Sequence, residues 1–292
     1  MRILLLGKIG QLGWELNRTL APLGEVTALD YPEIDLVGSE IQRTIEKLHP
    51  QVIVNATAYT AVDRAEEERE IAGAINGRAP GLMATAANAI GAGLIHYSTD
   101  YVFDGKKGEP YLETDAPNPL GVYGQTKLEG EQAIQRADGA YLILRTSWVY
   151  NMRGDNFVRK ALQWARQRRV MRVVTDQVSS PTWARMLAEI TAQLLARSAD
   201  SPSRWIEENK GVYHLAGSGY ASRMEWVQEI LRLDARPEEQ VVQEIQPALT
   251  SDFPTPAERP LYSALSCGHF QQTFGLSLPD WRVALMLAMA ER

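Results

Sequence analysis

Along the first half of the chain, short apolar runs alternate with longer segments whose apolar positions recur at helical spacing. Arg2 to Leu6 end in Gly7, and Trp14, Leu16 and Leu20 then share an inward face, which reads as strand, glycine turn and helix. A second run, Glu25 to Leu29, ends at Asp30, and the helix SEIQRTIEKL starts at a Ser39 cap and stops before Pro50. VIVN (Val52 to Asn55) is the third strand; a long amphipathic helix around Ile71 to Ile90 and the buried strand LIHYS (Leu94 to Ser98) follow. A helix begins near Tyr123 and runs towards Arg136, and YLILRTSWVY (Tyr141 to Tyr150) gives another buried strand ending at Thr146, Ser147 and Trp148. This alternation predicts an α/β fold, a doubly wound parallel sheet of the Rossmann type over residues 1–148. VVTDQVSSPT with the helix from Trp183 to Ala196 reads as one more strand-and-helix return and VYHLAG (Val212 to Gly217) as a last strand, so 172–216 are expected to rejoin that domain. From Gly217 onward the segments are shorter and richer in proline, which predicts a smaller C-terminal substrate-binding lobe within 149–292. The only polar break is RSADSPSRW, and no internal repeat is present.

Composition narrows the classes. A net charge of -6 and a pI near 5.4 argue against a dedicated nucleic-acid binder. The one basic cluster, RQRRVMR (Arg166 to Arg172), reads as the solvated end of a helix. A single cysteine, Cys267, permits no internal disulfide, and the chain is expected to be cytoplasmic. MRILLLG is too short for a signal-peptide core, no run of eighteen apolar residues exists, and no membrane partner is expected. His49, His96, His214 and His269 lie far apart without ligand partners at helical spacing, so no metal site is expected.

The candidate chemistry gathers between His96 and Lys127. Thr99 and Asp100 stand at the carboxyl end of a buried strand, where open α/β sheets place their ligands. Tyr123 and Lys127, four apart on a helix, share one face. An ammonium beside a phenol lowers its pKa from about 10 by ~1–3 units, which would make Tyr123 a usable general acid, with Thr99 sharing the oxygen of a bound ketone. The same spacing also suits a half-buried tyrosine beside a solvated lysine. Upstream, Gly7, Gly10 and Gly13 have the spacing of a turn that cradles a dinucleotide pyrophosphate, or of a glycine turn without a ligand. The cofactor-binding positions expected in this reading are Gly7, Gly10, Gln11, Leu12 and Gly13 in the turn and Ala56, Thr57, Ala58 and Tyr59 after the third strand. Asp30 suits an adenosine ribose and would favour NADH over NADPH, and Asp35 and Leu36 would border the adenine. Thr60, Val62 and Asp63 follow at the mouth of the crevice.

GKIGQLG, NATAYTAVDRAE, HYSTDYVFDG, YGQTKLEGE, LRTSWVY and TPAERP, in this order, resemble the dTDP-4-dehydrorhamnose reductase family of extended short-chain dehydrogenase/reductases over nearly the whole length. The resemblance implies NADPH- or NADH-dependent reduction of the 4-keto group of dTDP-6-deoxy-L-lyxo-4-hexulose to dTDP-L-rhamnose. It makes Tyr123 the proton donor, Lys127 the partner of the nicotinamide ribose and of Tyr123, and Thr99 the hydroxyl that positions the keto oxygen. Thr60, Val62, Thr99, Asp100, Tyr101, Trp148 and Arg259 would be the substrate contacts, with Trp148 packing on the sugar and Arg259 reaching the pyrophosphate. Related dehydratases usually carry a second acid after the Thr-Asp pair; here Tyr101 follows, which favours simple reduction. An epimerase or dehydratase of nucleotide sugars is one alternative. A non-catalytic dinucleotide-binding subunit, similar to a regulatory subunit of methionine adenosyltransferase, is another, against which Thr99, Tyr123 and Lys127 are all present. Some family members dimerise through magnesium held by glutamates. Here Glu15 is present but Arg185 takes the second position, so a monomer or weak homodimer is expected and a magnesium-bridged one is not.

Overall fold

The computed structural model describes residues 1–198 and 201–290. In chain order its principal elements are β1 (Arg2–Leu6), α1 (Gln11–Thr19), β2 (Glu25–Leu29), α2 (Glu40–Leu48), β3 (Val52–Asn55), α3 (Ala79–Ile90), β4 (Gly93–Thr99), α4 (Val122–Ala137) and β5 (Tyr141–Thr146). They are followed by α5 (Phe157–Gln167), β6 (Val170–Val174), α6 (Ala184–Arg197), β7 (Gly211–His214), α7 (Arg223–Arg232), β8 (Glu244–Ala248) and α8 (Trp281–Ala290).

Six of these strands form one parallel sheet in the order β7-β5-β4-β3-β1-β2. β3 and β4 are buried along their whole length because helices cover both faces, and such strands read as continuous apolar runs. On one face Leu12 and Leu16 of α1, with Leu20 just after it, pack with Leu187, Ala188 and Leu194 of α6. On the other, Ile41 and Ile45 of α2 meet Met83 and Ala87 of α3 and Ile134 of α4. The chain passes from β1 outward to β2 and then back across β1 to β3. The strand order therefore reverses between β1 and β3, and the carboxyl ends of those strands open onto the ligand crevice expected at such a point.

Two elements differ from the sequence reading. The long helix around Ile71 to Ile90 is broken into a short helix Arg69–Ala72, a π-helical turn Gly73–Arg78 and α3. Pro80, in the first turn of α3, has no N–H for an ordinary helical bond. The strand in VVTDQVSSPT does not return to the main sheet: β6 pairs in parallel with β8. Its burial alternates, with Met171 and Val173 inward and Val170 and Arg172 outward, so it covers one core from one side. The return is made by α6, which packs on α1, and by β7, which pairs with β5.

The lobe core contains Tyr150, Trp183, Trp226, Trp281 and Leu285, with Phe157 and Trp164 against it. Among the described residues no helix is long and apolar enough to cross a membrane.

Candidate active site

At the end of β1 the backbone of Gly7 takes φ +90, and a Cβ there would sit 2.9 Å from the Ala56 carbonyl. A Cβ on Gly13 would lie 1.8 Å from the Gly7 oxygen, so α1 can approach the turn this closely only with glycine at that position. Gly10 in extended conformation precedes α1, whose first turn has no side-chain cap, and uncapped N–H groups at a helix start are a favourable place for a phosphate. The turn and the small residues opposite it thus fit a dinucleotide. Gln11 and Leu12 contribute differently from their neighbours. The Gln11 amide bonds the Asn151 N–H and the Val149 carbonyl at 3.2 and 3.4 Å, and Leu12 packs into the core.

Asp30, at the end of β2, accepts from the Ile9 N–H at 3.0 Å and from the Tyr31 N–H at 2.8 Å, so its carboxylate braces the glycine turn. Asp35 closes a local turn through the Val37 N–H, and Leu36 is buried with Ile34 and Ile41. After β3, Ala56 donates to the Leu6 carbonyl and Thr57 folds back onto Asn55, while Ala58, Thr60 and Val62 remain at least partly exposed. Asn76, from the π-helical turn, clamps the Tyr59 backbone by donating to its carbonyl at 3.1 Å and accepting from its N–H at 2.8 Å.

Thr99 ends β4 and Tyr123 lies in the first turn of α4, where the Glu66 carboxylate accepts from the Val122 N–H at 2.8 Å. The Tyr123 side chain is part-buried. Burial pushes the phenol above its ordinary value, the nearby Thr99 hydroxyl works against the rise, and Asp100 and Tyr101 add to it. The expected lowering by Lys127 is absent for a geometric reason. Lys127 Nζ donates to the Tyr97 carbonyl at 2.7 Å and stands 3.2 Å from His96 Nε2. Burial lowers Lys127 to about 8, with Glu131 pulling the other way.

Asp100, expected against the substrate, is instead turned into the seam between sheet domain and lobe. It is 2% exposed, accepting from Ser179 Oγ at 3.0 Å, Ser263 Oγ at 2.5 Å and Thr99 Oγ1 at 3.2 Å. Burial raises its carboxyl to about 6 against those bonds. Tyr101 meets Tyr123 edge to face at 5.7 Å. Trp148 has φ 40, in the left-handed region rare for a bulky side chain, and stacks with Trp226 at 5.4 Å. Arg259 pairs with Asp63 at 2.8 Å and is one of the charges that act on Tyr101.

The model of the RmlD substrate binding domain matches residues 1–292. The chain is 43% identical to the dTDP-4-dehydrorhamnose reductase of Shigella flexneri over 297 residues, covering 100% of this chain and 98% of that protein. The chain belongs to the dTDP-4-dehydrorhamnose reductase family. Its fold matches the crystal structure of such a reductase from Clostridium acetobutylicum with a TM-score of 0.90 at 34% identity, covering 100% of this chain and 99% of that one. It also matches the Bacillus anthracis enzyme in complex with NADP, with a TM-score of 0.88 at 31% identity and the same coverage.

Within this member of the dTDP-4-dehydrorhamnose reductase family, the site includes residues that the sequence did not single out. Arg223 places its guanidinium carbon 3.5 Å from the Trp148 ring centroid; burial lowers it to about 10, with Tyr101 and Asp100 pulling the other way. A cation in the first turn after the Ser222–Glu225 capping box is unfavourable to the helix dipole, and that misfit was readable in SRME. Arg223 also borders a cavity of about 360 Å³ lined by Phe157, Trp164, Arg172, Val174 and Phe253, within the ~300–1,000 Å³ typical of small-ligand sites. Asn55, Asn76, His96, Ser179 and Ser263 were missed because nothing local in the sequence brings them to the site.

Glu15 and Arg185, the pair on which no bridging magnesium is expected, also have a defined setting. Glu15 is buried, which raises its carboxyl, while Arg18, Arg185 and Arg153 pull it down. Arg185 is paired with Glu189 at 2.9 Å. Among the described residues no group of three or more His, Cys, Asp or Glu is placed to hold a metal ion.

Proposed function

We propose that this chain reduces the 4-keto group of dTDP-6-deoxy-L-lyxo-4-hexulose to give dTDP-L-rhamnose, the last step of dTDP-rhamnose biosynthesis. The observation that carries the reading is the Tyr123 phenol, raised in pKa by burial and set against the Thr99 hydroxyl at the carboxyl end of β4. Its raised pKa keeps the proton on the phenol at neutral pH, ready for an oxygen that gains negative charge. NADH or NADPH, when bound along the glycine turn, supplies hydride to the keto carbon. Thr99 and Tyr123 then hold the keto oxygen between two hydroxyls. Arg223 and Arg259 supply positive charge for the diphosphate, and the cavity beyond Arg223 takes the nucleoside. The Asp30 carboxylate beside the turn favours NADH, because it would repel a ribose phosphate. Reduction is favoured over dehydration because Asp100 is committed to three hydroxyl donors and Tyr101 follows it. A monomer or weak homodimer without bridging magnesium, acting in the cytoplasm, completes the proposal.

The test supplies the purified protein with the enzymatically generated keto-sugar and either NADH or NADPH, follows nicotinamide absorbance and identifies the product. Coupled formation of dTDP-L-rhamnose is expected, faster with NADH. Tyr123→Phe should keep dinucleotide binding and lose about 10²-fold or more in turnover. Unchanged turnover would remove Tyr123 from the chemistry, and no oxidation despite dinucleotide binding would refute the substrate.

A further inference from the structure

Beneath the site a line of buried side chains runs from the loop after β3 to Lys127. Thr57 donates to Asn55 Oδ1 twice, through its backbone N–H at 3.0 Å and its hydroxyl at 2.6 Å. A backbone N–H only donates, so that atom is the amide oxygen and Asn55 presents its NH₂ group on the other side. This Nδ2 stands 2.9 Å from His96 Nδ1, which must then be the accepting, unprotonated ring nitrogen. His96 is fully buried, and burial holds its pKa well below the ordinary value, so the ring is neutral whatever the charge of Lys127. Its one proton therefore lies on Nε2, 3.2 Å from Lys127 Nζ. An ammonium at that distance would set N–H against N–H, since it has no lone pair to accept with. An uncharged amine accepts from Nε2 and still donates to the Tyr97 carbonyl at 2.7 Å.

We propose that Asn55 and His96 set the charge of Lys127, fixing the ring tautomer that favours Lys127 as an uncharged amine in the dinucleotide-free protein. Both are positioning residues that act on the site through Lys127. The other groups around the amine leave this order in control. Glu131, one turn further along α4, favours the ammonium but is paired with Arg145 of β5 at 2.7 Å. Tyr97 of β4 turns its phenol to Thr191, and Tyr123 carries its proton. Asp100 faces Ser179 and Ser263, and His214 of β7, next to Arg145, is itself lowered to about 3 by burial. Burial of the amine acts in the same direction. The inference concerns the free protein, so a failed sugar assay leaves it standing and its own failure leaves the reductase reading intact.

The test uses the full chain without dinucleotide. Long-range ¹⁵N–¹H spectra of labelled histidine should show His96 Nδ1 unprotonated and Nε2 protonated; the reverse tautomer overturns the proposal. ¹³Cε-lysine titration, assigned with Lys127→Arg, should place Lys127 at or below about 8, and a value near the ordinary ~10.4 overturns it. Asn55→Asp should move the ring proton to Nδ1, let Nε2 accept, and raise the proton affinity of Lys127 by roughly tenfold or more. Asn55→Ala removes the amide donor without adding charge and should raise it as well, by less. A rise with Asp alone is a bare charge effect and refutes the tautomer argument. If either variant fails to fold, the wild-type tautomer and titration decide.

Discussion

Replacing Asp100 by Asn should change how stability depends on pH, by an amount set by the seam in which the carboxyl lies. The group stands at about 6 in the folded chain against an ordinary 3.8, because burial outweighs three hydroxyl donors. The fold thus favours protonated Asp100. This contribution is fully present below the ordinary value and is lost as pH rises through the folded value. At about 1.36 kcal/mol per unit, a shift of roughly 2.2 units corresponds to about 3 kcal/mol in total. Linkage places about 1.6 kcal/mol of that loss below pH 5 and about 1.4 kcal/mol between pH 5 and pH 8. Asparagine does not titrate and keeps an acceptor for Ser179 or Ser263. Stability from urea unfolding, read by circular dichroism at several pH values, should therefore fall by about 1.4 kcal/mol more in the wild type than in Asp100→Asn between pH 5 and pH 8. Other buried titrating groups, Glu15, His96 and His214, are common to both proteins and cancel in the difference. Parallel profiles would refute the reasoning, because they would mean that Asp100 titrates alike in folded and unfolded chains.

Arg223→Gln should raise KM for the sugar nucleotide by roughly 10-fold or more with little change in kcat, as expected for loss of a charge-assisted phosphate contact; unchanged steady-state kinetics would remove it from the substrate path. Glu131→Gln leaves Arg145 buried without its bidentate partner and should cost about 3–5 kcal/mol in urea unfolding; a loss below about 1 kcal/mol would show that the pair is dispensable. EDTA should alter neither turnover nor sedimentation, since Arg185 acts electrostatically on Glu15; a clear loss on chelation would overturn that argument.

The sheet was legible because β1, β3, β4 and β5 are covered on both sides and must be continuously apolar. The same logic misplaced β6, whose outward Val170 and Arg172 mark a strand with one wet face. The π-helical turn escaped notice because Ile71, Ala74 and Ile75 continue the helical pattern through the break. In the site, the glycine turn and the Tyr123–Lys127 spacing are local and could be read. Asp100 could not: its adjacency to Thr99 says nothing of Ser179 and Ser263, which arrive from far along the chain. Nor could the direction of the Tyr123 shift, because whether Lys127 reaches the phenol depends on His96 and Asn55 from two other strands.

The lobe is stitched from both sides of β7. β6 pairs with β8, Val178–Ser179 with Ala221–Ser222, and Ser263 closes on Asp100 at the end of a sheet strand. No single crossover between two related genes can therefore exchange the lobe as a module. A chimera joined anywhere between β6 and β8 would give one strand of that pair to each parent, along with the hydroxyls that must fit a foreign carboxyl. Substrate range on this scaffold is accordingly easier to alter by point substitution around Arg223 and the aromatic cavity than by recombination of chain halves.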